Sequence, residues 1–120
     1  MPVGTVTRNT EQFDLTTLPG AYVVIRRMNF GEKLDRQDDM LNMRTTGESN
    51  QFELKMLMKK MTFKDFGNLI IDHNITDENE RKLNFGNQRD ITTLDPRVGE
   101  EISSLIEKLN SFEDLPETKN

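Results

Sequence analysis

Apolar and polar positions alternate from Glu11 through Leu15, a turn follows at Leu18-Pro19-Gly20, and the β-branched run Ala21-Tyr22-Val23-Val24-Ile25-Arg26 comes next. Proline sets φ and glycine accepts positive φ, so this stretch predicts a β-hairpin. A hairpin alone is marginal in water, which requires Phe13, Leu15, Val23 and Ile25 to lie against helices. The period changes at Asn29. Asn29 with Glu32 three residues on has the spacing of a capping box, and a helix is expected over 30–43. Phe30, Leu34, Gln37 and Leu41, widened by Met40, form its apolar stripe. That stripe is expected to be buried, with Lys33, Asp35, Arg36, Asp38 and Asp39 in solvent.

Residues 44–49 read as a loop, and Asn50 with Glu53 repeats the capping spacing. Residues 52–61 fit two templates: Phe52, Leu54, Met56 and Met58 alternate as in a strand, while Leu54, Leu57, Met58 and Met61 recur as in a helix. Strong helix formers and the absence of β-branched residues decide for a helix. Phe63, Phe66 and Ile70 carry the helical spacing on towards Ile71, and Asp72 to Asn74 end it. Thr76 to Arg81 is an acidic turn, and Lys82-Leu83-Asn84-Phe85 a short extended piece. Last comes the clearest helix: Asp95 caps, Pro96 suits the first position, and Val98, Ile102, Leu105, Ile106 and Leu109 form one stripe. The expected architecture is α+β, mostly α, with an N-terminal β-hairpin followed by three to four helices. One domain covers 11–110, flanked by a flexible N-terminus at 1–10 and a flexible acidic tail at 111–120.

A chain of 120 residues suits one domain with a core of its own. It has no cysteine and a single histidine, His73, which removes disulfides, thiolate sites and multi-histidine metal sites; no cofactor is expected. No apolar run approaches the roughly 20 residues of a membrane helix, and Met1 to Thr5 lacks the start of a secretion signal, so a cytoplasmic protein without membrane contact is expected. The net charge of −5 is uneven, with residues 1–60 at +1 and residues 61–120 at −6. Tight basic groups are limited to Arg26-Arg27 and Lys59-Lys60, so nucleic acid is a poor partner. His73 lies near Asp72, Asp77, Glu78 and Glu80, but an EF-hand needs alternating acids around a glycine and zinc needs more ligands. Ser103-Ser104 has no ordered base beside it in sequence. Binding rather than catalysis is therefore expected.

Six of the seven methionines lie between Met28 and Met61. Unbranched, polarisable side chains repack against varied helical targets, which makes Met40, Met43, Met56 and Met58 candidates for a partner-binding surface. Core filling is the plainer account, strongest for Met58 and Met61 at helical spacing.

The run Ile70-Ile71-Asp72-His73-Asn74-Ile75-Thr76-Asp77-Glu78-Asn79, then Lys82-Leu83-Asn84-Phe85, then Leu94-Asp95-Pro96-Arg97-Val98-Gly99-Glu100-Glu101-Ile102, resembles the tail assembly chaperones of long-tailed (siphovirus-type) bacteriophages and related prophages. Leu18 to Leu34 likewise resembles that group's hairpin leading into its first helix, so the likeness spans residues 12–110. Glu80 stands where the group commonly carries glycine, and the positive-φ residue of the turn is accordingly expected at Asn79. The resemblance implies a protein that binds the tape measure protein in the host cytoplasm, keeps it soluble, helps recruit tail tube subunits, and is absent from the mature virion. It also implies a longer frameshifted form as a further partner. Two other readings stand beside it: a structural head–tail or tail adaptor retained in the virion, and a small acidic inhibitor of a host nucleic-acid enzyme. On the chaperone reading, the apolar sides of helices 30–43 and 51–61 form the core and a groove together with the final helix.

Overall fold

The computed structural model describes residues 10–46 and 50–110. Strands β1 (Thr10–Asp14) and β2 (Tyr22–Arg26) form the expected antiparallel hairpin, with Phe13 opposite Val23. Gly20 takes φ of 89° in its turn, a conformation that only glycine adopts without strain. Then come α1 (Phe30–Thr46), α2 (Gln51–Leu69), β3 (Ile70–His73), α3 (Gln88–Thr92) and α4 (Pro96–Asn110). The fold is α+β and mostly helical. Of the flexible N-terminus expected at 1–10, Thr10 is instead the first residue of β1, and of the loop expected at 44–49, residues 44–46 are the last of α1; the rest of both, and the tail expected at 111–120, lie outside the described residues.

Three elements differ from the sequence reading. Ile70 to His73 is a third strand rather than a helix end, and it pairs antiparallel with β2 so that β2 is central. A register shift between Val24 and Ile25 accommodates it. The two consecutive β-branched isoleucines were the local signal, outweighed by the helical spacing before them. The polar stretch between Phe85 and Leu94, to which the sequence reading gave no element, contains the short helix α3, capped by Asn87 Oδ1 accepting from the Arg89 amide. Glu80, not Asn79, is the positive-φ residue, at 62°. The Glu80 amide donates to the Asp77 carbonyl at 3.0 Å, while Asp77 Oδ1 accepts from the amides of Asn79 and Arg81. Such a turn needs its left-handed residue after the two central positions, which is Glu80, at a cost of about 1 kcal/mol to a residue with a Cβ.

Caps behave as their spacing requires. The Glu32 amide donates to Asn29 Oδ1 at 2.8 Å while Glu32 Oε1 accepts from the Asn29 amide at 3.0 Å, closing the capping box. Asn50 Oδ1 accepts from the Phe52 and Glu53 amides, and Asp95 Oδ1 from the Arg97 amide.

The core sits between the sheet, α4 and the C-terminal third of α2. Val23 and Ile25 of β2, Phe66 and Leu69 of α2, and Ile102 and Ile106 of α4 are its most deeply buried side chains. Each contributes about 1.5–3 kcal/mol of apolar burial. Phe66 meets Phe85 edge to face at 5.6 Å, and the buried His73 ring lies over Phe85 at 4.4 Å. His73 Nδ1 accepts from the Ile75 amide, and burial pushes its pKa down, so the imidazole is a neutral packing group of the core.

Side-chain ties fasten the layers. Asn74 accepts from the Tyr22 amide and donates to the Gly20 carbonyl, extending the pairing of β2 beyond β3. Glu101 of α4 accepts from the amides and hydroxyls of both Thr16 and Thr17, at 2.6–3.1 Å. These donors favour the carboxylate, first among them the Thr16 amide, and hold its pKa down at about 2. A carboxyl whose pKa falls on folding contributes stability that is present above its unfolded value and lost as pH drops through the folded one. Thermal unfolding of the wild-type chain should therefore show an acid-side loss between about pH 4.5 and pH 2 that is smaller in Glu101→Gln, the remainder belonging to the other carboxylates whose pKa is lowered, Glu32 among them. At neutral pH that variant should cost on the order of 1–2 kcal/mol, less than the full shift implies because the carboxylate lies near solvent.

Candidate protein-interaction surface

α1 does not bury the stripe that its sequence presents as apolar. Phe30 is 75% exposed and Leu41 57%, and Leu34 and Met40 are nearly half exposed, whereas Asp39 is buried at 9%. The expected orientation is reversed at Arg36 and Asp39, which turn inward, whereas Asp35 and Asp38 stay exposed as expected. Among the described residues no member of the core cluster comes from α1.

Electrostatics sets this orientation. Arg36 Nη1 meets Asp65 Oδ2 at 2.6 Å and Lys64 Nζ meets Asp39 Oδ2 at 3.0 Å, both between α1 and α2. Glu32, Arg36, Asp39 and Met43 recur at three- and four-residue spacing, so they share one helix face, and Phe30, Leu34 and Leu41 fall on the far side of the cylinder. The base of α1 is fixed as well: Arg26 of β2 grips Glu32 through two bonds of 2.8 and 2.6 Å. The Met28 amide donates to Asn110 Oδ1 at 2.7 Å. The Arg26 bonds, foremost, pull the Glu32 pKa down. Asp65 differs. Desolvation raises its pKa against the pull of Arg36, with Glu107 of α4 adding to the rise.

On α2, Met61, Phe66 and Leu69 turn inward, and Leu54 and Leu57 are half-buried. Phe52 is 70% exposed, and Met56 and Met58 are each more than half exposed. Phe52, Met56 and Met58 line one surface depression with Lys55 and Lys59. A longer groove runs beside it, walled by Phe52, Met56 and Phe63 on α2 and by Phe85 and Ile91 opposite.

Of the four methionines proposed from sequence, Met56 and Met58 come together at this surface. Met40 lies exposed on α1, and Met43, half-buried on the face of the ion pairs, is the least available. Neither lines the depression or the groove. Sequence reasoning missed the aromatic and leucine members, Phe30, Leu34, Leu41 and Phe52, because their periodicity assigns them to a core. Nor does α1 join the core that was expected from the first two helices with α4: α4 packs its stripe against the sheet and the end of α2, with Val98, Ile102, Ile106 and Leu109 buried.

Among the described residues no cluster of three or more His, Asp or Glu side chains has a metal-binding arrangement, and no helix is long and apolar enough to cross a membrane. Comparison with known families, characterised proteins and solved structures returns no match for this chain.

The α1–α2 contact rests on partly buried charge, so it has a recognisable mutational signature. Arg36→Ala and Asp65→Ala should each cost about 2–3 kcal/mol in urea unfolding, whereas Arg36→Leu with Asp65→Leu should cost less than either. Additive losses in the Arg36→Ala, Asp65→Ala double variant would show that the two side chains do not depend on one another.

Proposed function

We propose that this protein is a tail assembly chaperone of a long-tailed bacteriophage or prophage. It binds the tape measure protein in the host cytoplasm, keeps it soluble while tail tube subunits assemble, and leaves before the virion is complete. The observation that carries the reading is the exposed apolar surface of the α1–α2 hairpin. Phe30, Leu34, Met40, Leu41, Phe52, Met56 and Met58 are exposed there, although the chain has a well-formed core elsewhere. Large apolar side chains collected on one substructure mark a contact surface rather than scattered surface residues. Methionine among them suits a target that varies along its length.

The turn at Asp77 to Arg81 supports the same reading. Its left-handed residue is Glu80, the position at which the resembled chaperones carry glycine. Glycine at that position would adopt the same positive φ without strain, so the different residue does not count against the resemblance.

Co-expression with the tape measure protein of the same genome tests the proposal. The long partner should move to the supernatant and co-purify with the chain, and Met56→Asp should abolish both effects while the melting temperature stays within a few degrees of wild type. A partner that remains insoluble, with this chain present in purified virions, would instead assign it to the structural adaptors.

A further inference from the structure

The groove beside α2 has a charge at odds with the rest of the chain. The protein carries 21 acidic and 16 basic residues, yet among the described residues neither the groove nor the adjoining depression is lined by an acid. Their charged residues are Lys55, Lys59, Lys60 and Lys64. Lys64 is tied to Asp39, whereas among the described residues no ion pair includes Lys55, Lys59 or Lys60. Three cations thus border a strip of Phe52, Met56 and Phe63 without an ion pair among the described residues.

The geometry points to an amphipathic helix with an acidic border as the occupant, and this rests on the chaperone reading in that the helix would be a segment of the tape measure protein. From Phe52 to Gly67 the wall is one continuous helix about 22 Å long, the length of four turns. Its apolar residues recur at i, i+4 and i+11, a stripe that a second helix matches with its own apolar positions at three- and four-residue intervals. Lys55, Lys59 and Lys60 then face the flanking positions, where Glu or Asp complements them and Lys or Arg is repelled. Their aliphatic stems widen the apolar floor. A nucleic acid would meet the same lysines, but it would leave the apolar strip uncovered and approach a chain of net charge −5.

Two fluorescein-labelled synthetic helices, each of about 15 residues with the same leucine stripe, separate the possibilities, one bordered by Glu and the other by Lys. The Glu-bordered peptide should bind the whole chain at least about 10-fold more tightly at low salt, and Lys59→Glu with Lys60→Glu should invert the preference. Met56→Asp should weaken the Glu-bordered peptide by about 10-fold or more, and backbone shift changes should fall on Phe52 to Gly67 and Phe85 to Ile91. Equal affinities, shifts centred on Phe30 to Leu41, or displacement of the peptide by a single-stranded oligonucleotide would each overturn the assignment. Co-expression separates its failure from that of the chaperone reading. If the Lys59→Glu, Lys60→Glu chain still solubilises the tape measure protein, the groove is not the site and the chaperone reading stands. If the peptide preference holds but the wild-type chain leaves that partner insoluble, the groove stands and the chaperone reading falls.

Discussion

The contact between Arg36 and Asp65, reinforced by Lys64 and Asp39, decides which way the first helix faces. A helix with one apolar and one charged side normally buries the apolar side, because each large side chain so buried contributes about 1.5–3 kcal/mol. Here the charged side is the inner one. Partly buried charge is a weak source of net stability, since desolvation offsets much of the attraction, and the raised pKa of Asp65 is the local sign of that cost. Its structural effect is orientation: it leaves Phe30, Leu34 and Leu41 on the outside.

The molecule accordingly divides its apolar residues between two uses. Three strands, α4 and the end of α2 make a closed core whose members are almost fully buried, fastened by Glu101 on the hairpin turn and Asn74 beside β2. The α1–α2 hairpin is fixed to that core at its base by Arg26, Glu32 and Asn110. Most of its apolar surface remains outside. An apolar surface carried on a substructure with its own fixed base can be covered without disturbing the core.

Much of the fold was legible in the sequence because it is locally encoded. The hairpin, the Asn29–Glu32 box, the Asn50 and Asp95 caps and the stripe of α4 each rest on residues a few positions apart, and each is present. What was not legible depends on residues far apart. Periodicity shows that a helix has an apolar side; it does not show whether the chain supplies a cover for it, and the partners of Arg36 and Asp39 lie on another helix. β3 is four residues long and needs β2 to exist as a strand. Met56 and Met58 were found as candidates from composition, whereas Phe52 was passed over by the rule that assigns periodic aromatics to a core. One signal was present in α2: Leu54, Leu57, Met58 and Met61 fall on one side of the helix and Phe52, Met56 and Phe63 on the opposite side, more apolar surface than one packed face can use.

The central claim is that α1 turns its apolar side to solvent in the free protein. Methyl relaxation enhancement by a soluble, uncharged gadolinium agent reads this directly at Leu34, Leu41, Met56 and, as an internal reference, Ile102. The account predicts strong enhancement at the first three and almost none at Ile102. Protection of Leu34 and Leu41 to the level of Ile102, in a monomeric sample, would contradict it.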